Sequence, residues 1–248
     1  MTVETRIIMG MPITLDIPNS EGADIHERVF DVFNDADKRF SPFRPDSEVS
    51  RFNLGEIDAP ALSSQMRDVL KIAHDMQEIT DGYFDIRRED GTIDPSGVVK
   101  GWAILGAAQL LERDGFGNFC IDAGGDIQVG GRDARDREWS IGIRNPFDPR
   151  QIVKAIAPRG QGVATSGNYV RGDHIYDPHD RAARIEGPVS ITVIGHDVLV
   201  ADLHATAAFA MGDKGIYYIE ALDGLEAYQI HQDGTAVQTT GFKEFVFS

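Results

Sequence analysis

Cysteine is almost absent from this chain: Cys120 is the one thiol among 248 residues. An internal disulfide is therefore excluded, and no Cys-based metal spacing exists. Within Asn118-Phe119-Cys120-Ile121 the thiol reads as small core filler. Positive charge is scarce too. Lys and Arg number 24 against 40 Asp and Glu, giving a formal net charge of −16. Such a chain repels nucleic acid and anionic lipid at long range, so no nucleic-acid partner is expected. An anionic nucleotide is repelled as well, unless a cation, a lysine or backbone N–H groups make one spot attractive. Acidity that serves solubility alone is the plainer reading. No apolar run approaches membrane-spanning length, so no membrane insertion is expected. The start, Met1-Thr2-Val3-Glu4, has neither a basic region before an apolar stretch nor a lipobox-like Cys, and a cytoplasmic location is expected from it. Two phosphate-binding signatures are missing. No Gly-x-Gly-x-x-Gly follows a strand and opens a helix, and there is no Walker loop, which argues against Rossmann and P-loop sites. Gly-x-Ser-x-Gly is absent, so Ser166 makes a poor nucleophile.

What the chain does contain is enough apolar material, 42% of residues, for a sizeable core. Glycine and proline are spread along it without a linker, and no repeat is visible. One domain over residues 1–248 is expected. Residues 6–17 read as a strand interrupted by Gly10. Ile25, Val29, Val32, Phe33 and Ala36 recur at helical spacing within 24–40. A breaker-rich loop follows over 41–48. Further helices are predicted over 63–79, 98–111, 199–211 and 216–222. Short β-branched runs at 119–129, 139–144, 152–157, 163–165 and 189–194 predict strands separated by Gly and Asp turns. Two terminal strands, 225–231 and 236–246, are predicted to join at Asp233-Gly234. Helices and strands are partly segregated, so the fold class is α+β: a mixed or antiparallel sheet with packed helices.

Four constellations carry potential chemistry. In Val200-Ala201-Asp202-Leu203-His204-Ala205-Thr206, helical geometry puts Asp202 and Thr206 on one face, two hard oxygen donors suited to Mg²⁺. Helix capping by Asp202 and space-filling by Thr206 is the plain alternative. In Asp94-Pro95-Ser96-Gly97-Val98-Val99-Lys100, a turn enters a helix whose first N–H groups attract phosphate, with Lys100 one turn in. A capped surface helix with a solvated lysine fits as well. Asp173-His174-Ile175-Tyr176-Asp177-Pro178 sets a histidine beside carboxylates, a candidate general base or diphosphate ligand, although most loop histidines are neither. Asp122-Ala123-Gly124-Gly125-Asp126 offers paired glycines for close ligand approach or simply for a tight turn.

Taken in order, these segments resemble the ApbE family of FAD:protein FMN transferases over nearly the whole chain. Further matches are Ile8-Met9-Gly10-Met11, Arg39-Phe40-Ser41, Ser47-Glu48 to Asn53, Gly82-Tyr83-Phe84-Asp85, Thr165-Ser166-Gly167-Asn168-Tyr169, His174 to Pro178, and Asp202 to Thr206 with Met211-Gly212. The resemblance implies that Mg²⁺ is held by Asp202, Thr206 and the main-chain carbonyl of Gly97. It implies an FAD pocket drawn from Met9, Phe43, Tyr83, Phe84, Asp85, Asp94, Lys100, Gly124, Gly125, Ser166 and His174. His174 and Asp177 are the candidate bases for the acceptor hydroxyl, and Phe43 or Tyr83 the candidate cover for the flavin ring. FAD and an acceptor protein bearing a Thr or Ser flavinylation site are the implied partners.

The chain also departs from the pattern. Phe43 stands where relatives often carry Tyr. The Gly-Pro-Leu…Leu-Trp-Gly segment of longer members is replaced by a direct run through Arg87-Arg88-Glu89-Asp90, whose arginines are candidate phosphate contacts. His179-Asp180 replace the usual Thr-Gly after Pro178. The same site with water as acceptor would make an Mg²⁺-dependent FAD pyrophosphatase. A non-catalytic FAD-binding protein is the reading from a different class.

Overall fold

The structure is a computed structural model in which residues 3–20, 24–168, 176, 178–180 and 185–247 are described. The first two strands, β1 (Val3–Ile8) and β2 (Met11–Asp16), form a hairpin rather than one interrupted strand. Its tip is Met9-Gly10, with φ of +54° and +72°. Two successive left-handed residues make the tight reversal that suits twisted strands. Met9 is not a residue that announces such a turn, which is why the sequence pattern runs through it.

Helix α1 (Ile25–Phe40) buries Ile25, Val29, Phe30, Phe33, Ala36 and Phe40 as one stripe. The breaker-rich stretch after it holds an unpredicted short helix, α2 (Glu48–Asn53), begun by the Ser47 hydroxyl accepting from Ser50 N–H at 3.1 Å. Helix α3 (Ser64–Ile79) starts the same way, with Ser63 accepting from Met66 N–H. Glu48 binds these pieces together. It accepts from the Ser63 N–H and hydroxyl and pairs with Arg39 of α1. Asn53 then ties α2 to the chain ahead of the next helix, exchanging two 2.9 Å hydrogen bonds with the Ile93 backbone. The Ser-Glu…Asn pattern is thus accounted for by scaffolding.

Helix α4 (Ser96–Arg113) starts two residues earlier than its periodicity suggests and is buried on most of its circumference. After it come β3 (Phe119–Ala123), β4 (Asp126–Gly130), the detached hairpin β5 (Ile141–Asn145) and β6 (Asp148–Ile156), β7 (Gly162–Gly167) and β8 (Pro188–Gly195). Helices α5 (Val198–Ala210) and α6 (Gly215–Glu220) follow, then β9 (Glu226–His231) and a short β10 (Ala236–Gln238). The predicted last strand stops at Gln238, and Phe242–Phe245 form a 3-10 turn that buries Phe242. The 119–129 run is likewise two strands, folded at Gly124-Gly125.

Eight strands make one sheet in the order β1-β2-β3-β4-β7-β8-β9-β10, every neighbouring pair antiparallel. One core fills the space between β1–β3 and helices α1, α3 and α4. A second lies under α5 and α6 against β7–β9. The β5–β6 hairpin helps close a third core with Phe242. Among the described residues no helix is long and apolar enough to cross a membrane.

Candidate functional site

Antiparallel pairing brings three loops to one end of the sheet. The β1–β2 tip at Met9, the β3–β4 turn at Gly124-Gly125 and the C-terminal end of β7 at Ser166-Gly167 all lie there, because β2, β4 and β8 run away from that end while β1, β3 and β7 run toward it. Gly124 N–H donates to Pro12 O at 3.0 Å and links the first two loops. Gly125 donates to Asp122 Oδ1 at 2.8 Å, so its N–H is already engaged.

Helices α4 and α5 cross above this end. A Cβ on Gly101 would lie 2.8 Å from Leu199 Cα and 3.3 Å from Asp202 Oδ2. Only glycine lets the two helices approach so closely. Gly97 lies one turn earlier on the same face of α4. The crossing sets Lys100 between two carboxylates. Its ammonium pairs closely with Asp126 at the start of β4 and lies 3.4 Å from Asp202 Oδ1. Asp126 and Asp202 are 1% and 3% exposed. Asp202 Oδ2 is buried with no hydrogen-bond partner among the described residues. Burial is the main force raising the Asp202 carboxyl above the ordinary carboxylate range; Lys100 opposes it and Asp126 adds to it.

Asp202 does not cap its helix, since Asp197 does so by accepting from Val200 N–H at 2.9 Å. It is a buried acidic residue on a mostly apolar helix, an arrangement that needs a partner. One turn on, the Thr206 hydroxyl lies 3.4 Å from the Ser166 hydroxyl, joining α5 to the end of β7. His204, between them in sequence, bonds instead to Tyr218 of α6 at 2.7 Å. Among the described residues no three His, Cys, Asp or Glu side chains gather as a metal cage. A metal here would have to share hydroxyl, main-chain and substrate oxygens, as Mg²⁺ does.

Other expected residues fall in different surroundings. The N-terminus of α4 is not an open anion cradle: Ser96 N–H goes to Asp94 Oδ1, and those of Val98 and Val99 go to Pro95 O. Asp94 also accepts from the Ser96 hydroxyl at 2.6 Å and pairs with Arg88. That arginine engages a carboxylate rather than standing ready for phosphate. Phe84 is 2% exposed, and its ring edge would lie 3.4 Å from a Cβ at Gly97. Its ring packs beneath the Gly97 turn. Asp85 accepts from Arg87 N–H at 2.8 Å. Tyr83 meets His179 edge-on, with centroids 4.6 Å apart, and Phe43 projects from its loop 87% exposed. Met9 is half-buried against the first core. His174 and Asp177 lie outside the described residues. A groove of about 630 Å³, lined by Asp35, Lys38, Arg39 and Glu48, belongs to the α1–α2 surface, where Arg39 and Glu48 are already paired.

Asp126 is not among the site residues that the sequence points to, although the Gly-Gly-Asp motif contains it. After two glycines it reads as the last residue of a turn. Its place beside Lys100 becomes visible only when β4 pairs with β7 and α4 packs across.

The pattern of the ApbE family matches residues 9–90 and 86–229. A Vibrio cholerae serotype O1 protein named FAD:protein FMN transferase is 28% identical over 279 residues, covering 90% of this chain and 81% of that protein. The Escherichia coli K12 protein of that name is 27% identical over 204 residues, covering 75% of this chain and 58% of its own length. The matched region is therefore less than two thirds of that relative. Among solved structures, the flavin transferase ApbE from Vibrio cholerae superposes with a TM-score of 0.86 at 24% identity, covering 98% of each chain. The ApbE protein from Thermotoga maritima gives 0.84 at 22%, covering 99% of each.

Proposed function

The chain belongs to the ApbE family, and on that premise we propose that it is an Mg²⁺-dependent FAD:protein FMN transferase. In this reading it cleaves the pyrophosphate of FAD, joins FMN through a phosphoester to a Thr or Ser hydroxyl of an acceptor protein, and releases AMP. The observation that carries the proposal is the buried pair Asp126 and Asp202 with a single ammonium, Lys100, between them. Among the described residues two buried carboxylates face one ammonium, which crowds acidic groups away from water. The buried Asp202 Oδ2, without a hydrogen-bond partner among the described residues, is a second unmet demand. A divalent cation on hard oxygens relieves both. Asp202, the Thr206 hydroxyl and the Gly97 carbonyl are the donors that would hold Mg²⁺.

Bound there, Mg²⁺ supplies charge neutralisation on the phosphate oxygens and alignment for in-line displacement. The chain's own residues do the rest. Lys100 contributes positive charge beside the diphosphate, which offsets the repulsion of a net acidic protein. Met9 and Tyr83 offer apolar surface to the flavin, with Phe43 as a further cover. His174 or Asp177 takes the proton from the acceptor hydroxyl as its oxygen bonds to the FMN phosphorus. The bridging P–O bond breaks, and its oxygen leaves on AMP.

The test is intact-mass spectrometry of a candidate acceptor after incubation with the protein, FAD and Mg²⁺. Covalent gain of FMN with release of AMP is expected. Free FMN and AMP without a labelled acceptor would mean that water is the acceptor. FAD bound but uncleaved would leave a binding protein.

A further inference from the structure

We infer that Asp126 is a positioning residue for the cation site: it draws the Lys100 ammonium to itself and so leaves the Asp202 carboxylate available to a metal. This rests on the proposed role of Asp202 as an Mg²⁺ ligand. Asp126 is fixed from two sides. Its Oδ1 accepts Thr165 N–H at 3.1 Å, which anchors it to β7, and its Oδ2 takes Lys100. The contact from Lys100 to Asp126 is the closer of its two, the one to Asp202 Oδ1 being 3.4 Å. Both lysine and metal are cations, and both are drawn to Asp202. A buried ammonium settled fully on Asp202 would compete with the metal for the same oxygens, in a setting where charge interactions are weakly screened. Asp126 resolves that competition by giving Lys100 a carboxylate of its own. Lys100 then stays beside the site, positioned for phosphate, without blocking it.

Outer partners of this kind change metal affinity by about 10- to 100-fold when removed. Asp126→Asn keeps an oxygen for Thr165 N–H and removes only the charge, so the β4–β7 tie is retained. Calorimetric titration with MgCl₂ alone is expected to show the variant binding about tenfold or more weakly than the parent. Its metal-free melting temperature should stay close to the parent's. Adding Lys100→Met removes the competitor, and the double variant should return to within about threefold of the parent's affinity. Lys100→Met alone should bind Mg²⁺ at least as tightly as the parent, and it tests the same logic if Asp126→Asn does not fold. Unchanged affinity in Asp126→Asn, a double variant as weak as the single, or weaker binding in Lys100→Met would each overturn the inference. A parent protein that binds no Mg²⁺ would instead overturn the transferase reading on which it stands.

Discussion

Gly101→Ala tests the helix crossing on which the site depends. The added methyl would sit 2.8 Å from Leu199 Cα, a backbone atom that cannot turn aside. Carbon–carbon contacts settle at about 3.5–4.0 Å, so α4 and α5 must part by roughly 0.7–1.2 Å. Overpacking of this size costs about 1–3 kcal/mol. Alanine's better helix propensity returns about 1 kcal/mol. The net loss of stability is therefore modest, on the order of 0–2 kcal/mol. Function is affected far more. Lys100 is adjacent to the substituted residue, and Asp202 faces it across the crossing. A displacement of about 1 Å at reacting groups can cost on the order of 100-fold in rate. Thermal unfolding and FMN transfer to an acceptor, measured on the same preparation, should show a small fall in melting temperature with a kcat lowered about 100-fold. Parental kcat in a folded Gly101→Ala protein would refute the claim that this close approach sets the site.

Three further outcomes follow from particular contacts. Met9 holds a left-handed backbone that disfavours any side chain with a Cβ by about 1–2 kcal/mol; Met9→Gly should raise the melting temperature while weakening FAD binding, and unaltered FAD affinity by fluorescence titration would remove Met9 from the pocket. Glu48→Ala should destabilise the fold by about 1.5–3 kcal/mol at neutral pH, the value of hydrogen bonds to a charged group. Although burial alone would raise the Glu48 carboxyl, the Ser63 and Arg39 contacts hold it below 4.5. Its contribution is therefore present above that value and lost as pH falls through the lowered folded-state pKa, so denaturant melts of parent and variant should converge in acid. Burial first, then Asp122 and Asp16, push the Cys120 thiol up to about 12; at pH 8 only about one thiol in ten thousand is ionised, and alkylation should be slow until the protein is unfolded. Rapid labelling of the native protein would contradict that environment.

How far these features could be read from sequence depends on whether their cause is local. Helices α1 and α3 declare themselves because their buried faces repeat at 3.6 residues, and Asp233-Gly234 announces its hairpin by turn chemistry. Helix α2 hides behind Pro42 and Pro45, since its stability comes from the Ser47 cap and from Glu48 and Asn53 reaching distant backbone. The Met9-Gly10 turn is concealed for a related reason. Tertiary pairing with β3 holds β2 in place, so a residue poor in turn propensity can occupy the tip.

The site divides along the same line. Asp202 and Thr206 are four residues apart on one helix, and that spacing alone makes them a candidate pair. Lys100 is recognisable as a cation on a strongly acidic chain. What no local pattern reveals is that Asp126, 26 residues after Lys100 and 76 before Asp202, completes the group. Its contribution exists only because Gly124-Gly125 reverses the chain, β4 pairs with β7, and Gly101 lets α5 settle onto α4. Each of those conditions is met by glycine or by main-chain hydrogen bonds, which leave little mark on composition or periodicity. The charge balance of the site is therefore a property of the packing. Substitutions at Gly101 or Asp126 should disturb it as surely as changes in Asp202 or Thr206, the side chains proposed to hold the metal.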